Sequence, residues 1–199
     1  MMRERRAERG STLVIVLLIC ALLAGIGIPL LTLTNMSPKI SGGMRFHEQA
    51  FNAAEAGAEA ARLYIEEMMD QGYWEDFTGH YVTNPTGIDQ PLDALDAPNA
   101  MYFRRLSDGE LLHWLDQDGD GAPDVSHILY FHQTFATDAQ GALDPRFVFT
   151  AFLINDEAGA AAADPMDAIL VVIGCVRVGA RIADSVRLEL ELVFESESP

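Results

Sequence analysis

Four closely spaced aspartates form the segment of this chain with the most specific chemistry. They lie within residues 116–124, DQDGDGAPD, at loop positions 1, 3, 5 and 9, with Gly121 at position 6. Ca²⁺ takes about six to eight oxygen ligands, and this spacing wraps carboxylates around one centre while the glycine permits a sharp turn. We therefore predict a structural calcium site. Its predicted ligands are the carboxylates of Asp116, Asp118, Asp120 and Asp124 and the carbonyl oxygen of Ala122.

The loop lacks the last ligand of an EF-hand. Position 12, where an EF-hand has a bidentate glutamate, is His127, which is unsuitable for Ca²⁺. The loop resembles the shorter aspartate-rich calcium loops of dockerin and thrombospondin type 3 repeats. A missing ligand would come from elsewhere, and the nearest acids in sequence are Asp108 and Glu110. The alternative is a polar turn between two strands that binds no ion.

The sequence contains few patterns that are typical of a catalytic site. The chain has no Gly-x-Ser-x-Gly, His-Glu-x-x-His, P-loop or Cys-x-x-Cys motif. His113, His127 and His132 could meet on adjoining strands and bind a transition metal, but scattered strand histidines more often pack or face solvent. We predict that the protein is not an enzyme.

A long uncharged segment follows a basic N-terminus. Four arginines lie within residues 1–9, and no charged side chain occurs between Arg9 and Lys39. Residues 13–33 supply the roughly 20 apolar residues that cross a hydrocarbon core ~30 Å thick. Because arginine-rich flanks stay in the cytoplasm, we predict a transmembrane segment over residues 13–33 with a cytoplasmic N-terminus. The run is longer than the apolar core of a secretory signal, which has about 7–15 residues.

Three helix-breaking residues lie inside this apolar run: Gly25, Gly27 and Pro29. In a helix interior, glycine costs about 1 kcal/mol and proline about 3 kcal/mol relative to alanine. We therefore predict a helix that kinks or partly unwinds at this point.

The junction between the basic and apolar segments resembles that of a known family. Arg9-Gly10-Ser11-Thr12-Leu13 before an apolar helix is similar to the leader junction of type IV prepilins and pseudopilins, and residues 51–57, FNAAEAG, resemble the N-terminal region of PilX-type minor pilins. The resemblance covers about residues 5–65. It implies a leader of residues 1–10, cleavage after Gly10 by prepilin peptidase and N-methylation of Ser11. It also implies as partners other minor pilins, the major pilin and a tip adhesin.

One departure from the common pilin pattern is informative. Most pilins have a glutamate five residues into the mature chain, where this chain has Ile15. In the family, that glutamate pairs with the terminal amine of the preceding subunit, and a subunit that starts a filament has no predecessor. The resemblance therefore implies a minor pilin that primes assembly at or near the tip of a type IV pilus. Two alternatives stay open: a K-type pseudopilin of a type II secretion system, and a single-span membrane-anchored calcium-binding protein with no filament role.

Composition agrees with an exported, acidic domain. The net charge is −17, and loss of residues 1–10, with four arginines and two glutamates, would make it −19. This acidity argues against nucleic-acid binding. We predict an inner-membrane protein whose bulk is periplasmic before assembly and then part of the pilus. Cys20 lies in the apolar run and Cys175 in a predicted strand, so we expect no disulfide between them and a buried Cys175.

The remaining pattern predicts an α+β fold. Small and apolar residues recur at three- and four-residue steps from residue 44 to residue 68, which predicts a long N-terminal helix over residues 11–70. Residues 71–199 then form a β-rich domain, and the whole is a long helix packed on an antiparallel sheet. We predict a hairpin of residues 101–106 and 110–116, followed by strands over residues 125–135, 146–155, 168–178 and 184–194.

Overall fold

The computed structural model describes residues 4–82, 100–155 and 165–194, and of residues 4–12, 27–41 and 100–102 it describes the backbone alone. The fold is α+β, as predicted. The elements in chain order are helix α1 (Glu4–Asp70), a 3-10 helix (Ala100–Arg105), helix α2 (Asp108–Leu115), and strands β1 (Ile128–Thr134), β2 (Phe147–Ile154), β3 (Asp167–Val178) and β4 (Arg181–Val193). The chain divides into two units, residues 1–45 and 46–199, which are described in turn.

The first unit contains the N-terminal part of α1. The large apolar side chains between Leu13 and Ile26 are 52–66% exposed, on every side of the helix. The helix continues without interruption through residues 25–29. For residues 27–41 only the backbone is described, and the kink stays a prediction.

Among the described residues, no helix combines the length and the hydrophobicity needed to cross a membrane. Of the predicted transmembrane segment, the side chains of residues 27–33 lie outside those described.

The second unit is built on an antiparallel sheet with the strand order β1-β2-β3-β4. The inner strands β2 and β3 are almost continuously apolar, because helices cover both faces of the sheet. On one face, alternate residues such as Phe149 and Leu170 pack with Ala54, Ala61 and Ile65 of α1. On the other face, the intervening residues pack with the leucines of α2 and with Phe103 of the 3-10 helix.

Close contact between α1 and β3 depends on two glycines. A Cβ at Gly57 of α1 would lie 2.8 Å from Val172 Cγ1 of β3 and 2.7 Å from the ring of Phe149 on the neighbouring strand β2. A Cβ at Gly174 of β3 would overlap the carbonyl oxygen of Ala50 and the amide nitrogen of Ala54. The small-residue face predicted for α1 is confirmed, since Ala50, Ala53, Ala54 and Ala61 are fully buried. The helix backbone therefore lies directly on the centre of the sheet.

The four strands predicted over residues 125–194 are confirmed as β1–β4, but the predicted hairpin over residues 101–116 is wrong. These residues form the 3-10 helix and α2. The expected turn is a capping box, in which Ser107 Oγ accepts a hydrogen bond from the Glu110 N–H and the Glu110 carboxylate accepts one from the Ser107 N–H. The pattern of Ser-x-x-Glu before an apolar pair marks a helix start. Leu111, Leu112 and Leu115 are then buried at helical spacing.

Substitution of Gly174 should test the contact between helix and sheet. We expect Gly174→Ala to lower the free energy of unfolding by about 3 kcal/mol, because the added methyl group meets backbone atoms that cannot rotate away. Urea denaturation of the full chain in detergent measures this value. Gly109→Ala is the control: no atom lies within 4 Å of its Cβ position in α2, and we expect a gain of about 0.5 kcal/mol. Equal stability of Gly174→Ala and the wild-type chain would contradict the close packing.

Cys175 should be chemically inert in the folded protein. Burial raises the pKa of its thiol to about 12, and the Asp108 carboxylate adds to the rise. Since the thiolate is the nucleophile, its reactive fraction at pH 8 is about one in ten thousand and increases tenfold per pH unit. In a Cys20→Ser background, we expect no alkylation by iodoacetamide at pH 8 until urea unfolds the domain. Rapid alkylation of Cys175 in the folded protein, measured by mass spectrometry, would refute the burial of this side chain.

Candidate calcium site

The aspartate-rich loop connects α2 to β1. Asp116 is the C-cap of α2, and its N–H donates to the carbonyl oxygen of Leu112 at 3.1 Å. The far end of the loop returns to the same helix, because the Asp124 N–H donates to the carbonyl oxygen of Leu115 at 2.8 Å. Both ends of the loop are therefore held at the last turn of α2.

The backbone within the loop bends at two left-handed glycines. Gly119 has φ 73° and Gly121 has φ 88°, a region that side chains with a Cβ rarely adopt. The Gly119 and Gly121 N–H groups donate to the two carboxylate oxygens of Asp116, at 2.8 and 3.1 Å. Asp118 and Asp120 each accept a bond from the backbone N–H two residues later. The predicted role of Gly121 in the turn is confirmed.

Three of the predicted ligands converge. One carboxylate oxygen from each of Asp116, Asp118 and Asp120 lies within 4.8 Å of the other two. Calcium–oxygen distances are about 2.3–2.6 Å, so two ligands on opposite sides of one ion are at most about 5 Å apart. The three oxygens therefore have a spacing that one Ca²⁺ ion could bridge, and Asp118 and Asp120 are exposed to solvent. Calcium binding itself stays a prediction.

The fourth aspartate has a different environment. Asp124 Oδ2 accepts hydrogen bonds from the N–H groups of Gln117 and Asp118, at 2.5 and 3.3 Å. These bonds connect the two ends of the loop, and Asp124 is not part of the converging group. Ligation by Asp124 and by the Ala122 carbonyl oxygen stays a prediction.

The two acids considered as additional ligands are engaged elsewhere. Asp108 Oδ1 pairs with Arg187 Nη2 at 2.8 Å, and its Oδ2 accepts a bond from Ser185 Oγ at 2.8 Å. Glu110 accepts bonds from the Ser107 hydroxyl and N–H, which hold the pKa of this carboxyl below its usual value. Neither carboxylate could turn to the loop without loss of these contacts.

Arg187 fixes the position of the helix that precedes the loop. Besides Asp108 at the start of α2, its guanidinium donates to the carbonyl oxygens of Phe103 and Leu106, at 3.2 and 2.6 Å. One side chain of β4 thus holds the 3-10 helix and α2 against the sheet. Sequence reasoning missed this residue because Arg187 and Asp108 are 79 positions apart, with no local signal.

The histidines do not form a metal-binding cluster in the described part of the chain. His113 and His127 are exposed, whereas His132 is half-buried in β1. Burial lowers the pKa of His132, and the guanidinium of Arg177 lowers it further. Among the described residues, metal-holding geometry is found for the three aspartates and not for these histidines.

The residues of the proposed processing junction lie in the other unit. Gly10 and Ser11 are in helical backbone, and the side chain of Ser11 lies outside those described. Ile15, at the position of the common pilin glutamate, is 56% exposed.

Comparison with protein-family models, with characterised proteins and with solved structures found no match for this chain. The pilin resemblance therefore rests on the motif residues of the chain itself.

Removal of calcium should destabilise the sheet domain. We expect EDTA to lower the melting temperature of the full chain and added CaCl₂ to restore it, because three carboxylates repel one another without a cation. Differential scanning fluorimetry measures the shift. Asp118→Ala should abolish the calcium response, whereas Gln117→Ala, at an exposed neighbouring position outside the cluster, should retain it. Identical melting curves with EDTA and with calcium would reject the site.

Proposed function

We propose that this chain is a minor pilin that helps to prime assembly of a type IV pilus, at or near the filament tip. The observation that supports this most is the exposed apolar helix surface between Leu13 and Ile26, directly after the Gly10-Ser11 junction. A helix that is apolar on every side needs an apolar environment, either lipid or other helices. A pilin helix meets lipid before assembly and neighbouring helices in the filament.

The proposed mechanism is non-covalent. Before assembly, residues 13–33 anchor the chain in the inner membrane, with the N-terminus in the cytoplasm and the sheet domain in the periplasm. Prepilin peptidase removes residues 1–10, Ser11 becomes the methylated terminus, and the apolar helix packs into a bundle with other minor pilins and the major pilin. The helix-breaking residues Gly25, Gly27 and Pro29 lower the cost of local bending in that bundle.

Ile15 supports a place at the start of the filament. A carboxylate in an apolar bundle is costly unless it meets a positive partner. The first subunit of a filament has no preceding subunit whose terminal amine could neutralise a carboxylate. Ile15 is uncharged and exposed, so it needs no positive partner. The rest of the helix can therefore pack without an unpaired charge.

The sheet domain supplies the exposed surface of the proposed subunit. Its acidic character disfavours nucleic acid, and its contacts would be with other minor pilins and with a tip adhesin. Calcium, if bound by Asp116, Asp118 and Asp120, would have a structural role, since it would rigidify the loop that follows α2. No group of the domain is proposed to act in catalysis.

Two other functions are compatible with the same residues. A K-type pseudopilin of a type II secretion system shares the junction and the missing glutamate. A single-span calcium-binding membrane protein is favoured by the aspartate loop alone and requires no processing at Gly10.

Mass spectrometry of the native N-terminus tests the proposal. In a strain with active prepilin peptidase, we expect a methylated Ser11 terminus. Gly10→Glu should leave the chain uncleaved, because it replaces the glycine of the leader junction with a bulky, charged residue. Thr12→Ala, with the junction glycine intact, should be processed normally. An unprocessed Met1 terminus in the wild-type chain would reject both pilin-type functions. Loss of pili, with protein secretion intact, in a strain that lacks this chain would favour the minor pilin over the pseudopilin.

A further inference from the structure

Strand β4 forms one edge of the sheet, and its outer side has no partner in the described part of the chain. β4 pairs with β3 at twelve positions, from Asp167↔Val193 to Val178↔Arg181. On the other side of β4, no strand is present among the described residues. Alternate residues of such an edge direct both N–H and C=O outward, where they can pair with another chain.

The two edges of the sheet differ in regularity. β1, at the opposite edge, has two register shifts within seven residues, and His132 in it has the left-handed φ of 46°. Such irregularities twist an edge and oppose pairing. β4 has thirteen residues and a single register shift, near its start, opposite Val176 and Arg177. The long regular part of β4, from residue 184 to residue 193, therefore offers a continuous pairing edge.

One face of this edge is apolar and incompletely covered. Leu188, Leu190 and Leu192 are only half-buried, although their cross-strand partners Val172, Leu170 and Ala168 on β3 are fully buried. On α1, His47 contacts Asp184 of β4. Phe51, one helical turn further on, lies on the same side of α1 and is 39% exposed. The apolar surface beside α1 thus extends to the open edge of β4.

The other face of the edge has one unpaired acidic residue. Arg187 is already bound to Asp108, and Glu189 pairs with Arg104 at 2.7 Å. Glu191 is exposed and has no ion pair within the described residues. The charge left unpaired on this face within residues 184–193 is therefore the single carboxylate of Glu191.

We propose that β4 accepts an extended segment of another protein as a fifth, antiparallel strand. The segment alternates apolar residues, which cover Leu188, Leu190 and Leu192, with basic residues, one of which lies opposite Glu191. Backbone hydrogen bonds supply affinity in this mode of recognition, and the alternating side chains supply specificity. The inference does not depend on the filament function, because the edge and its charges belong to the sheet domain in any assembly.

A second copy of the chain is a poorer occupant. Its β4 carries the same Glu191, and its Arg187 is already bound to Asp108 and to the backbone carbonyls of Phe103 and Leu106, so the regular part of that strand has no free basic side chain to pair with Glu191. A basic and apolar strand would instead place a positive charge opposite Glu191, and cross-strand pairs of opposite charge are stabilising.

The probe is an acetylated, amidated peptide of alternating valine and lysine, tested on the full chain in detergent. We expect fluorescence anisotropy to show binding, and hydrogen–deuterium exchange to slow within residues 181–193 but not within residues 128–134. Glu191→Lys should weaken binding about tenfold. Glu75→Lys, an equal charge change at an exposed residue outside the sheet, should weaken it less than twofold.

A peptide of the same sequence with alternate backbone N-methyl groups keeps the charge but cannot form a strand ladder, and we expect it not to bind. If the N-methylated peptide binds as tightly as the unmodified peptide, the proposal is overturned in favour of general attraction to an acidic protein. The same conclusion follows if Glu191→Lys and Glu75→Lys weaken binding equally. Slowed exchange at β1, or no binding of the unmodified peptide, would overturn it as well. Exchange at β4 that slows with protein concentration alone would overturn it in favour of a second copy.

Discussion

The sheet domain depends on the direct contact between the backbone of α1 and strand β3 at Gly174. The Ala50 carbonyl and the Ala54 amide occupy the space where a side chain of β3 would otherwise project. Because the helix lies this close, short alanine side chains suffice to fill the interface. Leu170 and Val172, which lie on the same face of β3 as Gly174, are fully buried. A larger residue on either element would lift the helix and leave voids along β2 and β3, where packing interactions are lost. The remainder of the domain is arranged around this contact.

The opposite face of the sheet is covered by helices that could not form alone. α2 has eight residues, and isolated helices of this length are not stable in water. Three interactions stabilise this short helix: the capping box at Ser107, the burial of the α2 leucines on the sheet and the ion pair of Asp108 with Arg187. The side chains of this pair are only 16–17% exposed, so each charge depends on the other. Since the aspartate loop begins at the last turn of α2, its location depends on Arg187 of β4 as well.

Sequence patterns predicted the elements with long, regular periodicity and failed where the signal was short or nonlocal. The buried face of α1 and the alternation of β4 repeat over many residues, so neither Gly57 nor Leu190 was difficult to place. The residues Ser107-Asp108-Gly109 also suit a turn, so they predict a hairpin where the structure has α2. The capping role of Glu110 distinguishes the helix start from a turn. The convergence of Asp116, Asp118 and Asp120 could be predicted from their spacing, because these residues are close in sequence. The hydrogen bonds of Asp124 depend on how the loop closes, which spacing does not determine.

The two units offer surfaces that select partners by different physical means. The apolar side chains of residues 13–26 are exposed around the whole helix, and dispersion and apolar burial there are non-directional. Such a surface accepts many helices and discriminates weakly among them. The outer edge of β4 combines directional backbone groups with an uncompensated Glu191, so it would reject strands of the wrong charge or alternation. In the pilus proposed above, apolar helices of this kind would hold the subunits together. The choice among neighbours would then have to come from directional surfaces of the sheet domain.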